Sequence, residues 1–337
     1  MSDKLFVIDA HAHFLPKATI PKAIEMKIDP SKMSVAPIYL TLKKMENLEL
    51  ILQNMQEAGV DMTLLMQTVW TSLGLEICKV INDEYSKVKK AYPGKFIMCG
   101  HIPLKSGQEV INEIDRCLTQ LGLDAITLAT YSPEFTFDAK ELRPIYNKIN
   151  SLGVPIVFHP LMANRWDATG KYEIRSTVMR EYEISKCLIE VMCGVLPSLP
   201  ELKLLFPHYG GGMPGLKARI KAFYEPEGWP VPEAEVKYNG KSPRELEELG
   251  LAKSFDELFN KVYFDMAGAG AGSMEMLNAG LATLRTDRTC FGTDYPFDLR
   301  TSKDLKYFID NIKKLNVSDS EKALMLGGNT KRLFGIK

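Results

Sequence analysis

Eight short apolar runs alternate along the chain with longer amphipathic stretches, and this alternation is the feature that most limits its possible folds. The first amphipathic stretch, for example, places Leu48, Ile51 and Met55 at the three-to-four-residue spacing of a helix face. The predicted strands are Leu5–Asp9, Asp61–Gln67, Phe96–His101, Asp124–Ala129, Pro155–His159, Leu202–Pro207, Val262–Asp265 and Thr289–Gly292. Eight strand–helix units with right-handed crossovers predict an α/β fold, a closed (β/α)8 (TIM) barrel, with an open doubly wound sheet as the alternative.

The predicted helices are Leu48–Ala58, Leu75–Ala91, Gly107–Leu121, Ala139–Leu152, Thr177–Leu196, Ser273–Thr283, Ser302–Leu315 and Ser318–Phe334. Two stretches, Pro16–Lys44 and Glu225–Asn260, interrupt this rhythm. We interpret them as loop insertions after strand 1 and before strand 7. Neither has the size of a domain and no linker is evident, so a single domain over residues 1–337 is expected.

The charges of the chain balance, since 42 Lys and Arg residues and 42 Asp and Glu residues give a formal net charge of zero. We therefore expect no nucleic acid or anionic membrane as a partner. No stretch approaches the ~20 apolar residues that span a bilayer, and the N-terminus lacks the apolar region of a secretory signal. The six cysteines are scattered without a C-x-x-C motif, which predicts reduced thiols in a cytoplasmic protein.

The tripeptide His11-Ala12-His13 follows the first apolar run. The chain has five histidines in 337 residues, so composition alone would produce roughly 0.07 such H-x-H pairs. Because side chains alternate along an extended backbone, both imidazoles point the same way and can bind one metal ion. At the carboxyl end of a strand, the pair would lie where barrel enzymes carry their active sites.

Three further polar residues follow predicted strands: His159 the fifth, His208 the sixth and Asp294 the eighth. In a barrel these strand ends meet at one mouth. The potential metal ligands are His11, His13, His159 and Asp294. Three nitrogens and one oxygen, with space for water, suit Zn²⁺, while Mn²⁺ and Fe²⁺ are alternatives. A single histidine or aspartate at a strand end is more often structural, so the prediction depends on their convergence.

Four motifs carry a resemblance to a known family. They are Ile8-Asp9-Ala10-His11-Ala12-His13, Phe158-His159-Pro160, Pro207-His208-Tyr209-Gly210-Gly211-Gly212 and Gly292-Thr293-Asp294-Tyr295-Pro296-Phe297. Together they resemble the amidohydrolase superfamily, specifically the amidohydrolase-related branch that contains 2-amino-3-carboxymuconate-6-semialdehyde decarboxylase and γ-resorcylate decarboxylase. The resemblance runs from Leu5 to about Phe334 and implies a metal-dependent barrel enzyme.

The resemblance also implies residue roles. The four potential ligands match the metal ligands of the family, and His208 matches its catalytic histidine, which lies beside the metal. Many hydrolytic relatives bind a second metal through a carboxylated lysine on the fourth strand. Residues 124–129 contain no lysine, so one divalent ion is expected, most simply Zn²⁺ with Mn²⁺ as the alternative. A cation lowers the pKa of bound water from about 15.7 to about 7. His208 could then transfer a proton near neutral pH, and Asp294 could relay one while bound to the metal.

The resemblance further implies that Arg219 matches an arginine that reaches the neighbouring subunit's site, where it would suit a carboxylate; a surface ion pair is the alternative. Ile51 and Gln53 stand where the semialdehyde decarboxylase carries arginines, one of which holds a substrate carboxylate. Asp265, at the end of the seventh strand, is a candidate for supporting the metal ligands. The other candidates for substrate contact, each with plain packing or a structural role as the alternative, are Trp70, His101, Tyr131 and Trp166.

We therefore predict a cytoplasmic metal-dependent enzyme, a homodimer or larger homo-oligomer, that acts on a small-molecule carboxylate. The leading activity is the non-oxidative decarboxylation of a hydroxylated aromatic or unsaturated carboxylate. The first alternative is hydrolysis or hydration of a small carbonyl, ester, amide or lactone substrate by metal-activated water. The second is an inactive barrel that serves as a binding scaffold, which the intact set of potential ligands and His208 disfavours.

Overall fold

The computed structural model describes residues 5–26, 43–161, 174–224, 254–268 and 270–337. In these ranges eight parallel strands pair in chain order, from β1 with β2 through to β7 with β8. The ring closes because Ala12 in β1 bridges to Tyr295 beyond β8, and the backbone N of Ala10 donates to the backbone O of Phe291 at 2.8 Å. The predicted (β/α)8 barrel is confirmed and the open sheet is excluded.

The strands are β1 (Ile8–His13), β2 (Met62–Met66), β3 (Phe96–His101), β4 (Ala125–Ala129), β5 (Pro155–His159), β6 (Lys203–Phe206), β7 (Tyr263–Asp265) and β8 (Thr289–Cys290). The helices are α1 (Thr19–Glu25), α2 (Leu48–Ala58), α3 (Leu75–Ala91), α4 (Gln108–Asp115), α5 (Arg143–Leu152), α6 (Ile174–Gly194), α7 (Met213–Tyr224), α8 (Phe255–Phe259), α9 (Met274–Leu281), α10 (Ser302–Lys314), α11 (Asp319–Ala323) and α12 (Asn329–Phe334). Short 3-10 or π turns lie at Thr68–Leu73, Arg116–Gln120, Lys140–Leu142, His208–Gly210, Thr286–Arg288 and Leu324–Gly328. Among the described helices, none combines the length and apolar character needed to cross a membrane.

The two predicted insertions are described in part. The first contains α1 and the second contains α8, so both include a short helix. Residues 27–42 and 225–253 of these stretches lie outside the described part of the chain. The expectation of one domain over residues 1–337 therefore stays a prediction.

Local sequence signals account for several helix ends. Gly59 after α2 and Gly153 after α5 have left-handed backbones, with φ of 76° and 67°, which glycine adopts without a Cβ clash. Ser318 accepts a hydrogen bond from the backbone N of Glu321, whose side chain accepts one from the backbone N of Ser318 in return. This capping box begins α11 where the sequence predicted a helix start.

The first strand lies later in the chain than predicted. The prediction Leu5–Asp9 is wrong at both ends, because β1 runs over Ile8–His13. Leu5 and Phe6 precede it and are 37% and 40% exposed. Their apolar character therefore does not mark strand residues, and the histidine pair belongs to the strand itself.

A register shift in β1 directs the histidine pair into the barrel. The pairing with β2 is irregular between Asp9 and Ala12. Ile8 and Ala10 belong to the inner cluster, the apolar residues that all eight strands contribute inside the barrel. Ala12 packs in the outer cluster between strands and helices. Strict alternation after Ile8 and Ala10 would put the histidines on the outer face, so the bulge reverses the phase of the strand.

Gly327 offers a test of the packing beneath β1. A Cβ at Gly327 would lie 2.2 Å from the backbone O of Phe6, an atom that cannot rotate away. We expect Gly327→Ala to lower the free energy of unfolding by about 1–3 kcal/mol, as overpacking does. Gly215→Ala in α7 is the matched control, since a Cβ there meets nothing within 4 Å. Alanine is favoured in helices by about 0.5–1 kcal/mol, so thermal unfolding should show a raised melting temperature for the control. Equal melting temperatures would contradict the prediction.

Candidate metal centre

Three imidazole nitrogens and one carboxylate oxygen converge at one end of the barrel. They belong to His11, His13, His159 and Asp294, which we call the ligand cluster. Nε2 of His13 lies 2.8 Å from Oδ1 of Asp294 and 3.3 Å from Nε2 of His159. Nε2 of His11 lies 3.4 Å from the same Oδ1, and all four side chains are buried with their ligand atoms within 4.8 Å of one another. Metal–nitrogen bonds of about 2.0–2.1 Å at tetrahedral angles put two ligands about 3.3 Å apart, so the set fits one cation.

In two of the potential ligand histidines, Nδ1 donates a hydrogen bond to an acceptor of the protein. Nδ1 of His11 donates to Oδ2 of Asp265 at 2.8 Å, and Nδ1 of His13 donates to the backbone O of Met66 at 3.1 Å. In the neutral form of each ring the hydrogen is then on Nδ1, and Nε2 presents its lone pair to the cluster. Nε2 of His11 is buried and has no hydrogen-bond partner in the described ranges, as expected for a nitrogen that binds a metal.

The charges of the cluster also suit a cation. Burial lowers the pKa of His13 and of His159, so both rings are neutral near pH 7. Burial acts in the same direction on His11, but the carboxylates of Asp265 and Asp294 raise its pKa to about 10. Burial acts to raise the pKa of Asp294, but the neighbouring rings of His11 and His13 hold it well below its usual range. A divalent cation would therefore displace a proton from His11.

Asp9 fastens the loop that carries Asp294 to the first strand. Its carboxylate accepts hydrogen bonds from the backbone N of Thr293 at 3.0 Å and from the Thr293 hydroxyl at 2.6 Å. The backbone N of Asp294 donates to the backbone O of His11 at 2.9 Å. Gly292 leaves space for this contact, since a Cβ there would lie 3.1 Å from Cβ of His11. The first and last sequence motifs thus form one hydrogen-bonded unit.

Left-handed backbone occurs at two of the predicted site residues. In the described ranges, the non-glycine residues with positive φ are His208 at 53°, Tyr209 at 56° and Asp294 at 51°. This conformation costs about 1–2 kcal/mol per residue, and strain of this kind is concentrated at functional sites. Oδ1 of Asp265 holds the first of these turns by accepting the backbone N of His208 at 3.0 Å. One carboxylate therefore positions both His208 and His11.

The ring of His208 lies beside the ligand cluster. Its centroid is 5.7 Å from that of His11, with 29° between the ring planes. Nδ1 of His208 lies 3.0 Å from Oε1 of Glu181 in α6. Nε2 is buried without a hydrogen-bond partner among the described residues. The position is compatible with the predicted catalytic histidine that does not bind the metal, and that role stays a prediction.

His101 has a different environment from the one expected of a substrate contact. Its Nε2 accepts a hydrogen bond from the backbone N of Gln67 at 2.8 Å, and its Nδ1 donates to Oδ1 of Asn82 at 3.2 Å. Burial lowers its pKa to about 3, so the ring is neutral. Both nitrogens are thus engaged within the protein, which favours the structural alternative.

The other predicted substrate-binding residues are scattered. Trp70 is buried in the outer cluster, in the turn after β2. Tyr131 is half-buried just beyond β4, and Arg219 is exposed on α7. Trp166 lies outside the described residues. Contact of these residues with substrate stays a prediction.

Two residues near the site were not predicted. Glu181 is one polar residue within a helical pattern, and no motif distinguishes it. Burial together with the charge of Asp294 raises the pKa of Asp298 to about 8. Its spacing of four residues after Asp294 is the signal that could have identified it. Asp265, by contrast, was expected to support the ligands, and its bond to His11 agrees with that expectation.

Substitution of Asp265 should weaken metal binding. Asp265→Asn replaces the charged acceptor behind His11, and loss of such a partner typically costs about 10–100-fold in metal affinity. Competition with a chromophoric chelator would measure the dissociation constant. Asp124→Asn is the matched control, because Asp124 precedes β4 at the opposite end of the barrel and accepts the backbone N of Met98. An unchanged affinity in Asp265→Asn would show that the carboxylate does not support His11.

Comparison with known proteins places the chain in a family. The family model described as Amidohydrolase matches residues 8–336. The chain is 26% identical over 268 residues to 2-amino-3-carboxymuconate-6-semialdehyde decarboxylase of Dictyostelium discoideum, covering 78% of this chain and 67% of that protein. It is 21% identical over 273 residues to γ-resorcylate decarboxylase of Rhizobium radiobacter, covering 78% and 77%. It is 22% identical over 364 residues to 2-keto-4-carboxy-3-hexenedioate hydratase of a Sphingobium species, covering 98% and 96%.

Solved structures share the barrel. The crystal structure of 5-carboxyvanillate decarboxylase from Sphingomonas paucimobilis has a TM-score of 0.79 at 17% identity, covering 99% of this chain and 100% of that one. A dihydroxybenzoic acid decarboxylase from a Polaromonas species, solved with bound manganese, has a TM-score of 0.74 at 17% identity, covering 98% and 97%. At these identities the likeness shows the fold. Because the family model spans nearly the whole barrel, the chain belongs to the amidohydrolase family and is one of its metal-dependent enzymes.

Proposed function

We propose that this enzyme is a non-oxidative decarboxylase of a hydroxylated aromatic or unsaturated carboxylate. One divalent ion would be held by His11, His13, His159 and Asp294. The observation that carries the proposal is the buried Nε2 of His208, which has no partner in the described ranges and lies beside those ligands. The names of several relatives, which are decarboxylases of such acids, support the same reaction.

The residues of the site can be assigned to the steps of this reaction. When bound, the cation would polarise a carbonyl or phenolate oxygen and so make the ring or diene an electron sink. As the bond between the substrate carbon and the carboxylate breaks, the electron pair remains on the carbon and CO₂ leaves. The His208 imidazolium would then deliver a proton from Nε2 to that carbon. Nδ1 keeps its hydrogen, which it donates to Glu181, so the ring is neutral after the transfer. The product carries hydrogen in place of the carboxylate.

Hydration is the second candidate function. The hydratase relative supports it, because the alignment covers 98% of this chain and 96% of that protein. In this reaction neutral His208 would accept a proton from water through Nε2 while the oxygen adds to the substrate, and the imidazolium would then return that proton to the other atom of the hydrated double bond. The same residues serve both reactions, so product analysis must separate them.

A screen of carboxylated phenols and muconate-like acids in ¹⁸O-water and in D₂O would test the proposal. We expect CO₂ release, one solvent deuteron on the carbon that lost the carboxylate, and no ¹⁸O in the organic product. Incorporation of ¹⁸O without CO₂ release would establish hydration or hydrolysis instead. The variant His208→Gln, assayed in parallel, controls for background decarboxylation.

The choice of metal is part of the proposal. Three imidazoles with one carboxylate favour Zn²⁺, whereas manganese is bound in a structural relative. Reconstitution of the metal-free protein with each ion, followed by kcat measurement, would decide between them. We expect about one ion per chain, since β4 (Ala125–Ala129) offers no lysine to bridge a second.

We also propose that the chain forms one domain, acts as a homodimer or larger homo-oligomer, and resides in the cytoplasm. All six cysteines are free and buried, and reduced thiols are usual in that compartment. Arg219 is exposed on α7 and available to a second subunit. Sedimentation equilibrium would give the oligomeric state, and mixing Arg219→Ala with His208→Ala subunits would test sharing. Recovery of activity in confirmed heterodimers is the expected result.

A further inference from the structure

We infer that Glu181 is a positioning residue for His208, whose ring it orients so that Nδ1 carries the hydrogen and Nε2 faces the ligand cluster. The inference rests on the proposed proton transfer by His208. It concerns a side chain on a helix, outside every sequence motif of the site. No substrate contact is assigned to Glu181 itself.

The contact between the two side chains defines the tautomer. Oε1 of Glu181 lies 3.0 Å from Nδ1 of His208, and the side chains are 26% and 3% exposed. A carboxylate can only accept at this distance, so Nδ1 must donate. A neutral imidazole has one N–H, which leaves the lone pair on Nε2; an imidazolium would carry its transferable proton there.

Glu181 is itself held in place. Nε of Arg180 donates to the same Oε1 at 3.1 Å, and the side chain of Arg180 is mostly buried. Burial acts to raise the pKa of Glu181, but its contacts with His208 and Arg180 lower it, so the carboxylate is ionised. An ionised acceptor makes a stronger hydrogen bond than a neutral one.

The glycines after His208 allow α6 to approach this closely. A Cβ at Gly211 would lie 2.3 Å from the backbone O of Glu181. Oγ of Ser185, one turn further along α6, accepts the backbone N of Gly212 at 2.7 Å. The segment after β6 therefore packs directly against the turn of α6 that carries Glu181. Because glycine has no Cβ, the glycine run of this motif allows that close packing.

The other contacts of His208 restrict the position of the ring but do not determine which ring nitrogen carries the hydrogen. The backbone of His208 is fixed by its left-handed turn and by its bond to Asp265. One face of the ring packs near His11, and a Cβ at Gly268 would lie 3.3 Å from its Cγ. These contacts restrict translation of the ring. Its hydrogen-bond partner among the described residues is Glu181, which therefore selects the tautomer.

A nuclear magnetic resonance experiment tests the inference without requiring turnover. The chain has five histidines, so selective ¹⁵N-histidine labelling gives few signals, and His208→Gln identifies those of His208. Spectra of the metal-free and Zn²⁺-loaded protein should show His208 protonated on Nδ1. Glu181→Gln should retain this form, because an amide oxygen still accepts, whereas Glu181→Ala should shift the hydrogen towards Nε2.

Kinetics provide the second measurement. We expect Glu181→Ala to lower kcat about 10–100-fold with KM within about twofold, and Glu181→Gln to recover part of the loss. Glu183→Gln is the matched control, since Glu183 lies on the same helix about 200° away and should leave the His208 signals unchanged.

The outcomes separate the two proposals. An unchanged His208 tautomer in Glu181→Ala overturns the positioning role, whatever happens to kcat. An equal change in Glu183→Gln also overturns it, because the effect would then belong to the helix as a whole. If the tautomer shifts as expected but the unsubstituted enzyme releases CO₂ from no acid in the screen, positioning is upheld and the proposed decarboxylation fails.

Discussion

Replacing His208 with alanine should lower kcat about 10²–10⁴-fold, the range that general acid–base groups contribute, and leave the metal in place. The ring lies 5.7 Å from that of His11 by centroid and contributes no atom to the ligand cluster. Its removal therefore takes away the proposed proton donor and leaves all four potential metal ligands in place. Metal content by mass spectrometry and kcat on a substrate identified in the screen would measure the two effects separately.

His208→Asn provides the comparison for this experiment. Asparagine is polar, tolerates the left-handed backbone that His208 adopts and cannot transfer a proton near neutral pH. Both variants should lose activity alike, and thermal unfolding should show less destabilisation for asparagine. Loss of metal from either variant would mean that His208 belongs to the ligand set.

Removal of the metal should abolish activity and reduce stability. A ligand that binds the folded state at 100 times its dissociation constant stabilises it by about 2.7 kcal/mol, so dialysis against a chelator should lower the melting temperature by several degrees. His13→Ala should reproduce the chelated state even with excess metal, because its Nε2 lies between Asp294 and His159. Retention of one tightly bound ion by His13→Ala would exclude the proposed centre.

Metal binding should also release a proton. The pKa of His11 in the metal-free protein is raised to about 10, so the ring is protonated at pH 7 and must lose its proton to bind a cation. Below that pKa the apparent association constant should rise about tenfold for each unit of pH. Calorimetry in buffers of different ionisation enthalpy would count the protons. A count of zero at pH 7 would show that His11 is neutral before binding.

The barrel and the convergence of the four potential ligands could be predicted from the sequence because their signals are local. Each strand is a short apolar run, and His159, Asp265 and Asp294 each lie at or just beyond a strand end. Right-handed strand–helix units then require these ends to meet. Neither signal depends on side-chain contacts, so the barrel is evident in a sequence only 17% identical to a solved one.

Other parts of the site depend on contacts between distant segments. Glu181 reaches His208 across 27 positions, and Asp9 reaches Thr293 across 284, with no spacing rule to pair them. The bounds of β1 were wrong for a related reason. Leu5 and Phe6 have strand composition but lie outside the ring, and the bulge after Asp9 breaks the alternation that sequence patterns assume.

The bulge in β1 separates two tasks within one strand. Ile8 and Ala10 pack inside the barrel with apolar residues of the seven other strands. Because the bulge then reverses the alternation of side chains, His11 and His13 also point into the barrel. Mutations of the inner-cluster residues that precede the bulge can therefore alter the melting temperature while leaving metal affinity unchanged. The stability of the inner cluster can thus be raised independently of the candidate metal centre.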